Sequence, residues 1–155
     1  MNTKELDKFL SETLAAVGFR QRKHAWYKAN EDTITLVDLQ KSEWGGQYYI
    51  NLGVYLRDLG KASSPSEHQC HIRVRLSSIV GDDRQAIEEA LDLERTGISS
   101  EHRTRVLGRA LKDTAVPFLA DRSALPRLRE LFTQGALGPV FTTKVARELL
   151  ENVPA

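Results

Sequence analysis

Cysteine is nearly absent from this 155-residue chain: Cys70 is the only one. An internal disulfide framework is therefore excluded, and a lone thiol suits a reducing compartment. Long apolar runs are missing too, since none approaches the ~20 residues that a bilayer span requires. The opening residues, MNTKELDKFL, carry charges where a secretion signal would carry an apolar stretch. These absences predict a cytoplasmic location without membrane attachment. An excess of one charge is lacking as well. Lysine and arginine number 22 against 21 aspartate and glutamate, and such balance weakens generic attraction to polyanions. No repeat, low-complexity tract or long linker divides the chain, so a single domain over residues 1–155 is expected.

Catalytic signatures are missing in the same way. The sequence has no G-x-S-x-G, no H-E-x-x-H, no H-x-E…C-x-x-C and no paired-carboxylate constellation. His68, Cys70 and His71 are close in sequence, but along a strand Cys70 and His71 point to opposite faces. Only His24 and His102 remain to complete a ligand set. No catalytic residue, metal or cofactor is assigned, and Cys70 reads as a small core residue.

What is present is clear patterning. Asn2 with Glu5 reads as a capping box ahead of a helix whose face carries Leu6, Phe9, Leu10, Thr13, Leu14 and Val17. Gly18 stops that helix, with Phe19 folding back on Leu14. Residues 19–22, 25–29, 33–40, 48–56 and 70–76 then read as strands, rich in β-branched and aromatic residues. In YYINLGVYL, Tyr48, Ile50, Leu52, Val54 and Leu56 share one face, and Tyr49, Asn51, Gly53 and Tyr55 the other. In CHIRVRL, Ile72, Val74 and Leu76 point inward, and His71, Arg73 and Arg75 outward. The intervening RDLGKASSPSEHQ reads as a mobile surface loop.

From Gly81 the period lengthens to about 3.6 and helices take over. Asp82 with Gln85 marks a second capping box for a helix running to Gly97. Ser99 or Ser100 starts another helix, which Pro117 ends or kinks. Ser123–Gln134 and residues 139–153 supply two more. Glu88, Glu89, Asp92 and Glu94, and separately Arg103, Arg105, Arg109 and Lys112, read as solvated helix faces. The expected fold is α+β: an N-terminal helix, an antiparallel meander of about five strands in residues 1–80, and three to four helices in 81–155 packed on the sheet.

The stretches VGFRQRKHAWYK, VDLQKSEWGGQYYINLGVYL and CHIRVRL, in that order behind a short helix, resemble the bacterial domain-of-unknown-function 4304 family over roughly the first half of the chain. The resemblance implies a small cytoplasmic α+β protein, and it brings no catalytic residues with it.

Two places could carry function. The Gly45–Gly46 pair precedes a strand, whereas a phosphate loop precedes a helix. It therefore reads as a hairpin turn. Trp44 beside it either packs on the sheet or stands as an anchor at the loop tip, and burial of large aromatics favours packing. The second place is a sheet face. Pairing of the last two strands would set Tyr49, Asn51 and Tyr55 beside His71, Arg73 and Arg75, unless the C-terminal helices cover them. With Trp44 these residues form a candidate partner-binding platform. The partner expected is another protein. A nucleic-acid stacking platform is the rival, disfavoured by the charge balance, and an enzyme with an unrecognised site is the third reading.

Overall fold

In the computed structural model, which describes residues 1–152, Asn2 opens helix α1 (Thr3–Ala15) by accepting the Glu5 amide at 2.9 Å. Leu6, Leu10 and Leu14 are fully buried. Val17, expected on the same face, is exposed because the helix has already ended. Gly18 adopts φ 92°, its amide returns to Ala15 and the Phe19 amide to Leu14 at 3.0 Å. That is the Schellman pattern, and it aims the chain into the sheet.

The sheet holds six antiparallel strands in sequence order: β1 (Arg20–Arg22), β2 (Ala25–Ala29), β3 (Thr33–Lys41), β4 (Tyr48–Leu56), β5 (Ile72–Arg75) and β6 (Phe141–Thr142). The sixth strand lies in a stretch expected to be helical. Thr143 caps helix α6 (Lys144–Glu151) by accepting the Ala146 amide, so the two residues ahead of it stay extended and pair with β5. Val153, the end of the expected helix, lies outside the described residues.

Three helical boundaries differ from the sequence reading. Helix α2 (Arg84–Ala90) stops well short of Gly97, because the next residues join the β3–β4 hairpin. The Tyr48 amide donates to Leu91 at 2.9 Å and the Leu93 amide to Gly46 at 3.0 Å. Helix α2 is entered through a 3₁₀ turn over Gly81–Asp83, so Asp82, expected as its cap, lies inside the turn, and Asp83 at the cap position makes no side-chain cap bond. Helix α3 (Ser100–Ala110), capped by Ser99, continues through a π-helical turn into α4 (Val116–Ala120). The wider turn lies just before Pro117, which has no amide to donate. Helix α5 (Leu125–Thr133) starts two residues later than Ser123, and its cap comes from the sheet: Asp32 Oδ2 accepts the Leu125 amide at 2.8 Å.

The helices all serve one face. Trp26, Val37, Leu39, Ile50, Leu52, Val54, Ile72 and Val74 cluster with the buried leucines of α1, α3, α5 and α6. The opposite face is only partly covered, and by the segment 57–71, of which 57–69 read as a mobile loop and Cys70 and His71 as the start of a strand that begins only at Ile72. This strap docks on the sheet through 3₁₀ turns and side-chain bonds. Tyr27 donates its hydroxyl to the Pro65 carbonyl at 2.8 Å, and the Ala62 amide donates to the Tyr55 hydroxyl at 3.1 Å. Cys70 fits against Gly53, where an added Cβ would come within 2.7 Å of Sγ.

Candidate functional site

The β4–β5 pairing places Asn51 opposite Arg75 and Gly53 opposite Arg73. Side chains alternate across a strand, so these residues share the outer face with Asp38 and Gln40 of β3. The C-terminal helices do not cover this face; the core they form lies on the other side. The strap divides it into a covered half and an open half.

The strap covers Tyr55 and ends on His71, which are only 5% and 8% exposed. Their rings meet at 4.8 Å between centroids, and His71 Nδ1 accepts the Leu56 amide at 2.9 Å. Burial holds the His71 imidazole below its ordinary pKa, so the neutral ring is favoured and the acceptor role with it. Cys70 belongs to this half, packed with Ile34, Leu36 and Tyr55. Burial foremost, and then the nearby Glu67 carboxylate, push its thiol up to about 12. A thiol this reluctant to ionise is a packing group. Two of the candidate platform residues, Tyr55 and His71, are thus held inside the covered half.

The open half carries the others. Arg75 lies over the Tyr49 ring with the guanidinium carbon 3.9 Å from the centroid. Its Nε donates to Asn51 Oδ1, and a terminal nitrogen donates to Gln40 Oε1, both at 3.3 Å. Asn51 in turn donates to Gln40 at 2.9 Å and to Asp38 at 3.3 Å. Burial foremost raises the Asp38 pKa, against the lowering by the Asn51 bond. Asn51 is itself buried beneath the network, while Tyr49 and Arg75 remain half-exposed. The neighbouring Arg73 lies over Phe141 of β6 at 4.6 Å and within 4.0 Å of Glu67. Phe141 is 55% exposed. It escaped the sequence reading because its segment was read as helix.

Trp44 is the correction that matters most. It does not pack on the sheet; it is 86% exposed at the hairpin tip. The tip itself is firmly held. The Ser42 amide donates to the Gln47 carbonyl at 2.8 Å, Gly45 supplies the positive φ of 91°, and the 91–93 segment hydrogen-bonds alongside Gly46 and Tyr48. Gln47 adds side-chain bonds to the Tyr48 and Glu88 carbonyls, both at 3.0 Å.

Arg103, read as part of a solvated face, turns out to be the buttress of this hairpin. It is 1% exposed and donates to the carbonyls of Ala90, Asp92 and Arg95 at 2.8–2.9 Å. Those carbonyls belong to the segment that pairs with the hairpin. Arg84–Glu88 and Arg95–Glu89, by contrast, are the exposed pairs that charge patterning suggests. Among the described residues no helix is long and apolar enough to cross a membrane, and no group of three His, Cys, Asp or Glu side chains is placed to hold a metal ion.

Residues 10–121 match the family described as a domain of unknown function (DUF4304), a span that holds every candidate platform residue and the first five strands and reaches the end of α4. No curated protein and no solved structure matches the chain.

Proposed function

The chain belongs to the DUF4304 family, and we propose that it works as a protein-binding module, an accessory or immunity-type partner in the bacterial cytoplasm, rather than as an enzyme. One observation carries this reading: Trp44, 86% exposed, stands on a hairpin closed by the Ser42–Gln47 bond and fastened along its β4 side by residues 91–93. A large indole left in water at a rigid position gains most when a partner desolvates it, and little order is lost on binding. Tyr49 with Arg75 stacked on it lies on the same hairpin, one residue inside the β4 end that meets the tip. Tryptophan, tyrosine and arginine are the residue types that dominate interface energetics. Arg73 and Phe141 extend the exposed surface across β5 and β6. The lone reduced cysteine, buried and protonated, accords with a cytoplasmic location.

Cross-linking in living cells tests the reading. A photoreactive amino acid at position 44 should give one dominant protein adduct, and the same probe on exposed Lys8 of α1 should not. Equal, diffuse labelling from both positions, or adducts to nucleic acid, would remove the proposal.

A further inference from the structure

Strand β1 is the first edge of the sheet, and among the described residues no strand pairs with its outer side. Its register sets Arg20 opposite Tyr27 and Arg22 opposite Ala25, so both arginines stand on the outer face. Beside them lie two grooves, of about 790 and 500 Å³. Arg22, Tyr27, Ser63 and Ser64 line both, so the two grooves adjoin and together form the trough, with Arg22 donating to Ser64 Oγ at 3.5 Å where they meet.

The charge of this trough is one-sided in a chain that is otherwise balanced. Arg20, Arg22, Lys23, Lys28 and Lys41 line it, against Asp38 and Glu67. The two acids are already engaged, Asp38 by Asn51 and Glu67 by Arg73 and His68. Among the described residues the five cations form no ion pair. A free strand edge offers backbone donors and acceptors to an extended segment. The same charges repel a second copy of this edge and attract an acidic one.

We propose that the β1 edge and the adjoining trough take an acidic, extended segment of another protein as an added strand. The alternative of single-stranded nucleic acid fits less well. Binding without sequence preference relies on aromatic rings that stack bases. The one large ring in the lining, Tyr27, is half-buried with its hydroxyl tied to Pro65. Trp44, Tyr49 and Arg75 do not line the trough; Asp38 and Gln40 border both surfaces, and the β1 edge with Arg20 and Arg22 belongs to this one alone.

The test is a fluorescence-anisotropy titration of the full chain with three labelled probes at low salt. One is a short peptide of alternating glutamate and valine. The second is the same peptide N-methylated at alternate residues, which keeps its charge but blocks strand pairing. The third is oligo(dT). The expected result is saturable binding of the first peptide, weakened at least about tenfold by N-methylation and by Arg20→Glu with Arg22→Glu, and weakened again by added salt. The N-methylated arm uses the wild-type chain and so stands even if the charge-reversal variant folds poorly. Absence of binding, equal affinity for the two peptides, or tighter binding of oligo(dT) than of the first peptide overturns the proposal.

Discussion

The Leu56 amide donates to Nδ1 of His71 across 2.9 Å, joining the last residue of β4 to the residue that leads into β5. Only a ring nitrogen free of its proton can accept that bond. Burial lowers the folded-state pKa of His71, so the unfolded chain, near the usual value of about 6.5, takes up the proton first. Stability from this residue is complete above that pH and is lost as pH falls through it toward the folded value. Asp38, whose pKa is raised by burial, works with the opposite sign and closer to its ordinary carboxylate range. Thermal melts of the wild type should therefore drop between about pH 7 and pH 5.5, and His71→Asn, which keeps an acceptor without the titration, should flatten that drop. Parallel pH profiles for the two chains would show that another group governs the transition.

Arg103 ties α3 to three carbonyls of the segment that pairs with the β3–β4 hairpin. Truncation to alanine leaves those carbonyls buried and short of donors. At about 1 kcal/mol for each lost bond, Arg103→Ala should destabilise by roughly 3 kcal/mol. Arg103→Lys should recover less than half, because a compact ammonium cannot reproduce the guanidinium fork. Denaturant melts give the ranking. Hydrogen exchange should also accelerate at the Tyr48 and Leu93 amides, which join the hairpin to this segment; unchanged exchange there would mean that the hairpin holds without Arg103.

Gly45 and Gly46 are required for different reasons. Gly45 has φ 91°, so Gly45→Val places a branched side chain in the left-handed region and should cost roughly 1–2 kcal/mol. Gly46 has no such angle. A Cβ there would meet Glu94 Cγ at 2.6 Å and the Glu94 backbone nitrogen at 3.2 Å. Gly46→Ala should be partly rescued by Glu94→Ala, whereas Gly45→Val should not. Melts of the two single variants and the two doubles decide this, and rescue of Gly45→Val by Glu94→Ala would reverse the assignment.

Local chemistry made much of this architecture readable. The Asn2 cap, the Gly18 ending, the period-two alternation of residues 48–56 and the turn at Gly45 all depend on near neighbours, and all appear as expected. The misreadings occur where a distant partner decides. Helix α2 ends early because residues 91–93 pair with the hairpin, and α5 takes its cap from Asp32, far away in sequence. Arg103 looked like one more basic residue on a charged helix, since nothing adjacent reveals that its guanidinium meets only carbonyls. The candidate site divides along the same line. The β4–β5 neighbours followed from alternation. What could not be read was that the strap buries Tyr55 and His71 while leaving Trp44 in water.

Partner binding, as proposed, depends on that exposed indole. Trp44 touches no core, so Trp44→Ala should leave the melting temperature within about 2 °C of wild type. Tyr49→Ala with Arg75→Ala serves as a second variant on the same surface. With the partner identified by cross-linking, isothermal titration of the purified pair is the direct measurement. The account predicts that Trp44→Ala weakens binding by about 2 kcal/mol, roughly thirtyfold, with folding intact. Wild-type affinity in both the Trp44→Ala chain and the Tyr49→Ala, Arg75→Ala chain would contradict it.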